Sequence, residues 1–231
     1  MSRLHDMGGR FGDASLAVDG RKAGGDEPVF KEQWHGRALA IVIAAGALGK
    51  WNIDASRFGR ETLPPADYAG FSYYEKWIAG LANMLVMHGL VSAEEIATGK
   101  MRDKPAADIA AKCLKPEMVR PAMAKGGPSA RDCDRLPRFA TGARVTARPI
   151  NGNQMVKGGH TRMPDYVTGR TGTIVAYHGT HVLPDSNAHF NGEAPEPLYA
   201  VAFVAKDLWA HPEHPEDQVV LDMWDSYLVP A

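Results

Sequence analysis

Cysteine is scarce in this chain, and its scarcity removes several classes of protein. Cys113 and Cys133 are the two cysteines among 231 residues, and neither belongs to a C-x-x-C pair. Two isolated cysteines are too few for a disulfide framework or a structural zinc site. We therefore expect two reduced thiols and no metal ligands in this chain.

A dominant charge and a long apolar run are missing as well. Lys and Arg number 26 against 27 Asp and Glu, so no net field attracts nucleic acid or a membrane surface. The longest apolar stretch, residues 38–48, is about half of the roughly 20 residues that a membrane span needs, and it predicts a buried helix. The N-terminus lacks the apolar segment of a secretory signal, which predicts a cytoplasmic protein.

The standard catalytic motifs are also absent. The chain has no G-x-S-x-G elbow, P-loop, H-E-x-x-H or helix-opening G-x-G-x-x-G. Two histidine pairs, His178 with His181 and His211 with His214, have a spacing that could chelate a metal. Two imidazoles leave zinc short of its usual ligands, and both pairs lie in segments rich in Gly and Pro, which favours surface loops. A self-sufficient active site is therefore not expected.

What the chain does contain is a change of pattern near its middle. Residues 1–27 are glycine-rich and predict either a disordered tail or an extended arm that wraps a partner. Residues 28–125 have helical periodicity, 126–137 have the composition of a linker, and 138–231 alternate with the period of short strands. The sequence thus predicts an α+β protein in which a helical domain precedes a small β-barrel.

Polar residues beside apolar runs predict where the helices begin. Pro28 suits a first helical turn, and Asp54 is expected to cap a short helix. Residues 72–75 and 92–95 each have the form of a capping box, in which a serine and a glutamate satisfy each other's backbone amides. In the second half, the alternation predicts strands at 143–147, 172–177, 199–203 and 219–223.

Two arginines differ from their surroundings. Arg57 lies beside apolar and aromatic residues in the helical half, whereas Arg162 lies in a loop with glycines and Pro164 between two predicted strands. The planar guanidinium fork suits carboxylate, phosphate or sulfur oxyanions. Taken singly, each is more often a surface or salt-bridged residue, so neither alone names a ligand.

These arginines lie in segments that resemble the beta subunit of nitrile hydratase, and the resemblance runs over essentially the whole chain. In the first half it is carried by His5-Asp6-Met7-Gly8-Gly9, Glu27-Pro28-Val29-Phe30, Arg57-Phe58-Gly59 and Tyr73-Tyr74-Glu75-Lys76-Trp77. In the second half the most specific stretch is Gly159-His160-Thr161-Arg162-Met163-Pro164, followed by Pro184-Asp185, Leu208-Trp209 and Trp224-Asp225-Ser226-Tyr227-Leu228-Val229-Pro230.

The resemblance implies an SH3-like barrel after the helical half and a partner alpha subunit. In the family, the C-x-x-C-S-C segment of that subunit binds non-corrin cobalt or non-haem iron, and the metal has no ligand in this chain. Arg57 and Arg162 match the arginines that hydrogen-bond the oxidised cysteines of the alpha subunit. Val42, Tyr73 and Trp77 match positions that border the substrate pocket. Core packing is the alternative for the two aromatic residues, and for Trp77 it explains the residue equally well. Trp77 in place of tyrosine favours cobalt.

The implied activity is the hydration of nitriles to amides by a heterodimer or an alpha2-beta2 heterotetramer. Three other interpretations stay open. The first is a maturation or metal-delivery helper, which would resemble the helical half alone. The second is a thiocyanate hydrolase-like subunit, and the third is a binding module whose barrel docks a peptide. One chain that carries both halves favours the hydratase subunit.

Overall fold

A computed structural model describes residues 30–231, which contain nine helices and five strands. The described chain divides into two compact units, a helical unit that ends at Gly127 and a sheet unit from Pro128 to Ala231. Helices followed by an antiparallel sheet confirm the predicted α+β class. The predicted arm at 1–27 and the predicted first turn at Pro28 lie outside the described residues. No helix in residues 30–231 is long and apolar enough to cross a bilayer.

Seven helices form the helical unit. They are α1 (Gln33–Ala47), α2 (Ile53–Glu61), α3 (Pro65–Gly70), α4 (Tyr73–Met87), α5 (Ala93–Thr98), α6 (Ala107–Ala110) and α7 (Pro116–Lys125). The apolar stretch at 38–48 does form a helix, but its predicted burial is wrong for the described chain. Ala38 and Ala45 are the buried residues of α1, whereas Ile41 is 53% exposed. A helix that is apolar on most of its surface usually lies inside a protein, so α1 keeps apolar surface that this unit does not cover.

The cap of α2 differs from the prediction. Asn52, not Asp54, precedes the helix with an extended backbone, and its side-chain oxygen accepts the Ala55 N–H at 2.9 Å. Asp54 lies in the first turn, where the helical backbone leaves its side chain no route to a cap position. Its buried carboxylate instead accepts a hydrogen bond from Arg57 at 2.7 Å.

The capping box that opens α5 is confirmed. The Ser92 N–H donates to the Glu95 carboxylate at 2.8 Å, and the Glu95 N–H donates to the Ser92 hydroxyl at 3.2 Å. The pKa of Glu95 is lowered to about 2 by hydrogen bonds to its carboxylate from the Arg102 N–H, which contributes most, and from the Ser92 N–H and hydroxyl. At α4 the Ser72 N–H donates to Glu75 at 2.7 Å, so this helix begins at Tyr73 as the sequence predicts.

Helices α2 and α4 pack against each other at two glycines. A Cβ on Gly59 would lie 2.7 Å from the Met84 sulfur, and a Cβ on Gly80 would lie 2.9 Å from Arg60 Cγ. Neither position has room for a larger residue without a shift of its neighbour. The two glycines thereby bring the arginines of α2 close to the first turns of α4.

The sheet unit contains one antiparallel sheet with the strand order β4-β3-β2-β1-β5. Its strands are β1 (Arg144–Ala147), β2 (Thr171–His181), β3 (Glu196–Val204), β4 (Gln218–Trp224) and β5 (Leu228–Pro230). Two short helices, α8 (Pro184–Asn187) and α9 (Ala205–Leu208), flank β3 in sequence. The four predicted strands correspond to β1–β4, whereas β5 is too short to produce an alternation that could be recognised.

The core of this unit lies along the central strand β3, where every residue from Glu196 to Phe203 is buried. Its largest fully buried side chains include Tyr199, Phe203 and Tyr227. The hydroxyl groups of the two tyrosines require partners, because a buried hydroxyl without a hydrogen bond costs free energy. The core therefore fixes polar residues as well as apolar ones.

One histidine pair lies elsewhere than predicted. His178 and His181 belong to the end of β2, beyond an irregularity in its pairing with β3, and not to a loop. His178 Nε2 lies 3.2 Å from Asp222, whereas His181 Nδ1 lies 3.1 Å from the Ser129 hydroxyl. The two imidazoles therefore have different partners. The other pair, at 211 and 214, lies in the irregular segment between α9 and β4.

Candidate functional site

A cavity of about 720 Å³ lies entirely within the helical unit. It brings together four of the five predicted site residues, Val42 from α1, Arg57 from α2, and Tyr73 and Trp77 from α4. Most of the remaining wall is apolar, and it comes from Ile43, Gly46, Ala47, Trp51, Asn52, Ile53, Ser56, Arg60, Leu114, Ala122, Met123 and Gly127. A largely apolar cavity with a few polar groups is typical of small-molecule sites.

Arg57 is oriented by an aspartate on its own helix. Its Nη1 donates to Asp54 Oδ1 at 2.7 Å, and the Asp54 side chain is 6% exposed against 34% for Arg57. Within residues 30–231 this is the one hydrogen bond of the Arg57 side chain. Since a guanidinium carries five N–H donors, the others remain available to an anion or another acceptor. The arginine is thus held at one end and open at the other.

The aromatic wall consists of Tyr73 and Trp77, one helical turn apart. Their ring centroids lie 5.3 Å apart, and the guanidinium carbon of Arg60 lies 4.8 Å from the Trp77 centroid. Tyr73 is 61% exposed, so core packing among residues 30–231 does not explain it. The contact between Arg60 and the indole face is a cation–π interaction.

Arg60 is a site residue that the sequence did not reveal. Burial lowers the pKa of Arg60, and the neighbouring charge of Arg57 adds to that effect. Two guanidinium groups therefore share one side of the cavity and favour ligands with electron-rich atoms. The spacing from Arg57 to Arg60 placed both on one face of α2, but only the packing of α2 on α4 reveals the contact with Trp77.

Arg162 belongs to the sheet unit, in the loop between β1 and β2. Thr161 and Met163 on either side are buried, whereas Arg162 itself is exposed. Its backbone N–H donates to the Tyr227 hydroxyl at 3.2 Å. In the part of the chain that the structure describes, its guanidinium has no hydrogen bond or ion pair. Its backbone is therefore anchored while its charge is directed outward.

A buried polar network lies behind this arginine. The Tyr227 hydroxyl donates to Asp185 and accepts the Thr161 hydroxyl at 3.2 Å. Burial raises the pKa of Asp185, and it raises the pKa of Tyr227 well above its ordinary value. Asn153, whose side chain donates to the carbonyls of His160 and Asp185, also belongs to this network. The sequence did not indicate it, because no local pattern marks a buried amide.

A second cavity, of about 760 Å³, lies in the sheet unit beside Trp209, His211 and His214. It contains none of the predicted site residues. Over residues 30–231 there is no group of three or more His, Cys, Asp or Glu side chains that could hold a metal ion. Arg162 is the one site residue that the sequence predicts in this unit, and it does not line this cavity.

Two family models match nearly the whole chain. The model described as nitrile hydratase beta subunit, N-terminal, covers residues 1–122, and the model described as nitrile hydratase beta subunit, C-terminal, covers residues 128–230. A solved chain of the thiocyanate hydrolase of Thiobacillus thioparus is 25% identical over 56% of this chain, with all of that chain covered. Its TM-score of 0.37 is too low to support a structural conclusion.

Curated relatives match from end to end. The cobalt-containing nitrile hydratase subunit beta of Pseudonocardia thermophila is 36% identical, with 99% of this chain and 96% of the relative covered. The low-molecular weight cobalt-containing nitrile hydratase subunit beta of Rhodococcus rhodochrous is 34% identical, and the nitrile hydratase subunit beta of Pseudomonas putida is 33% identical. Both of these are covered completely, as is this chain.

Proposed function

The chain belongs to the nitrile hydratase beta subunit family, and we propose that its helical-unit cavity forms part of the nitrile pocket. The observation that carries this proposal is the convergence of Val42, Arg57, Tyr73 and Trp77 on one cavity. Three separate helices supply these residues, although nothing in their local sequence requires them to meet. The chain thus provides walls and donors of a hydratase, a hydro-lyase.

The proposed partner is the alpha subunit, which would hold the metal, in a heterodimer or an alpha2-beta2 heterotetramer in the cytoplasm. When bound, the metal supplies Lewis acidity toward the nitrile or water. Cobalt is favoured over iron, because Trp77 suggests it and because two relatives are named as cobalt-containing. The SH3-like barrel and the N-terminal arm that contacts the partner are part of the same proposal.

Arg57 and Arg162 are proposed to donate hydrogen bonds to oxidised cysteines of the alpha subunit. The donor chemistry of both residues fits such a role. Arg57 keeps donors beyond its bond to Asp54, and Arg162 presents an exposed guanidinium on an anchored backbone. Sulfur oxyanions in a shielded interface require charge-assisted, forked donors, and a lysine offers neither the fork nor the planarity.

The cavity wall would bind and orient the substrate. Tyr73 and Trp77 present aromatic surface to the carbon chain or ring of a nitrile, and Val42 limits the width on the α1 side. Arg60, held over Trp77, fixes the position of the indole. An apolar lining of this kind also disfavours bulk water around the nitrile.

The test is nitrile hydration by this chain co-expressed with its alpha subunit. Arg57→Lys and Arg162→Lys should each lower kcat about 100-fold, the loss typical when a preorganised donor is removed. Arg102→Lys in the helical unit and Arg144→Lys in the sheet unit are matched controls, since both arginines are exposed. Full activity in both test variants would refute the proposed role of these arginines.

The same preparation separates the proposal from its alternatives. A maturation helper would leave the alpha subunit before turnover, so an alpha-beta complex that persists during hydration excludes it. A thiocyanate hydrolase-like subunit would support thiocyanate hydrolysis in preference to nitrile hydration. If the chain were only a peptide-binding module, Arg57→Lys and Arg162→Lys would not lower the rate of nitrile hydration.

A further inference from the structure

Resting on the proposed function, we infer that Tyr227 and Asp185 are positioning residues that hold Arg162 in the place where its guanidinium can act. Arg162 has no side-chain partner of its own in the described chain, so its position depends on its backbone. The groups that fix this backbone are buried, polar and distant in sequence. The group that contacts the Arg162 backbone directly is the Tyr227 hydroxyl.

The Tyr227 hydroxyl connects three parts of the chain. It accepts the Arg162 N–H at 3.2 Å and the Thr161 hydroxyl at 3.2 Å, and it donates to the Asp185 carboxylate. Tyr227 is fully buried and Asp185 is 3% exposed. A buried hydroxyl with an acceptor fixed by its surroundings has one favourable orientation, which keeps its lone pairs directed at the loop.

Arg148 fixes the tyrosine ring from its other side. The guanidinium carbon of Arg148 lies 4.9 Å from the Tyr227 ring centroid, and its Nη2 lies 3.8 Å from Asp185 Oδ2. The same nitrogen donates to the Gly152 carbonyl at 2.6 Å, within the loop that carries Arg162. One largely buried arginine, whose side chain is 12% exposed, thus contacts the ring, the carboxylate and the loop together.

Asn153 and His189 fix the loop two residues before Arg162. Asn153 Nδ2 donates to the carbonyls of His160 and Asp185, both at 2.7 Å. His189 Nε2 accepts the His160 N–H at 2.9 Å. With residue 160 held at both backbone groups and residue 162 held at its N–H, little freedom remains for the Arg162 backbone. A displacement of about 1 Å at such a donor can cost about 100-fold in rate.

The sheet unit contains a matched control. The Tyr199 hydroxyl accepts the Arg138 N–H at 2.9 Å and donates to Asp225 at 2.9 Å, and Tyr199 is equally buried. In that case, however, the arginine side chain is itself bound, since Arg138 Nε donates to Asp225 at 2.6 Å. Tyr199→Phe therefore removes the corresponding bonds to an arginine N–H and to an aspartate, without affecting a guanidinium that is free to act.

The experiment compares Tyr227→Phe with Tyr199→Phe in the metal-loaded alpha-beta complex. Amide exchange of the segment around Arg162 should rise roughly two- to tenfold in Tyr227→Phe and stay unchanged in Tyr199→Phe, where the segment around Arg138 responds instead. The kcat for nitrile hydration should fall about 10- to 100-fold in Tyr227→Phe with KM nearly constant, and stay within about twofold in Tyr199→Phe. In an Arg162→Lys background, Tyr227→Phe should have little further effect on kcat.

The outcomes separate the two levels of the proposal. If Arg162→Lys keeps full activity, the role proposed for Arg162 fails. If Arg162→Lys is impaired but Tyr227→Phe keeps its kcat, or lowers kcat equally in both backgrounds, the positioning role is overturned while the role of Arg162 stands. Should Tyr227→Phe fail to assemble, Asp185→Ala removes the acceptor of the Tyr227 hydroxyl and leaves the tyrosine in place, and it must show the same exchange at residues 160–163 and the same loss of kcat.

Discussion

Tyr199 and Tyr227 form matching hydrogen bonds at two places in the sheet unit. Each hydroxyl accepts a backbone N–H of an arginine and donates to an aspartate, and each ring is fully buried. The pairs differ in the arginine side chain, which is bound to Asp225 in one case and exposed in the other. The same local chemistry thus supports a closed structural contact and an open donor.

The first prediction concerns the alkaline stability of the sheet unit. Burial, followed by the hydrogen bond to Asp225, raises the pKa of Tyr199 to about 12, against an ordinary value of 10. The unfolded chain therefore loses this proton first. The contribution of the protonated Tyr199 hydroxyl to the free energy of unfolding is fully present below pH 10 and is lost as the pH rises through about 12.

Tyr199→Phe lacks this titration, so its free energy of unfolding should fall less steeply than that of the wild type between pH 10 and 12. One proton accounts for a difference in slope of at most about 1.4 kcal/mol per pH unit. Urea unfolding at several pH values measures both slopes. The titration of Tyr227 affects the wild type and Tyr199→Phe equally, so it cancels in the comparison. Equal slopes of the free energy of unfolding against pH in the two proteins would contradict the prediction.

The second prediction concerns the contact between α2 and α4. Gly80→Ala places a Cβ 2.9 Å from Arg60 Cγ and 3.3 Å from the Arg60 backbone, so Arg60 must move. We expect a loss of about 1–3 kcal/mol in the free energy of unfolding. Gly46→Ala is the control, because nothing lies within 4 Å of its new Cβ. That change should stabilise α1 by about 0.5–1 kcal/mol, and a stabilising Gly80→Ala would show that the packing is looser than described.

The third prediction concerns substrate size. Val42→Phe enlarges a half-buried side chain on the α1 wall of the cavity. The KM for an aromatic nitrile such as benzonitrile should rise about tenfold or more, while that for acetonitrile changes little, because steric discrimination of this kind reaches about 10- to 200-fold. Val175→Phe, at an exposed position on β2, is the control. An equal change of KM for both nitriles would refute the proposal that Val42 borders the substrate pocket.

The fourth prediction concerns the start of α2. Asn52→Ala removes the acceptor of the Ala55 N–H and should lower the free energy of unfolding by about 1 kcal/mol. Asn52→Asp keeps an acceptor and should restore most of that loss. Asn83→Ala, on the exposed side of α4, should change stability by less than about 0.5 kcal/mol. Thermal unfolding followed by the helical circular dichroism signal distinguishes these outcomes.

Signals that are local in sequence led to correct predictions. The serine–glutamate pair at 92–95 determines where α5 begins, because both partners lie within one turn. The period-two alternation located four strands. In β1, β2 and β4 it reflects one face that is more buried than the other, whereas in β3, which is buried almost throughout, large and small side chains alternate. The error at Asp54 is also local. Two acceptors, Asn52 and Asp54, stand two residues apart, and composition does not indicate which one has the extended backbone.

Contacts between distant residues could not be predicted in this way. Arg60 and Trp77 meet because Gly59 and Gly80 allow α2 and α4 to approach closely, which depends on the packing of two helices. Tyr227 follows Arg162 by 65 positions in the chain. Each of these contacts joins different elements of the fold, so no window of neighbouring residues contains the information.

Among residues 30–231, the wall of the cavity comes from residues between Val42 and Gly127, all of them in the helical unit. The residues that shape the cavity and the residues that position Arg162 are therefore encoded by separate stretches of the gene. Recombination between relatives at the glycine-rich segment around Gly127 would exchange one property and keep the other. Under the proposed function, the shape of the nitrile pocket and the hydrogen-bond donor at Arg162 are thus free to diversify independently, which makes the helical unit the natural target for directed evolution of substrate range.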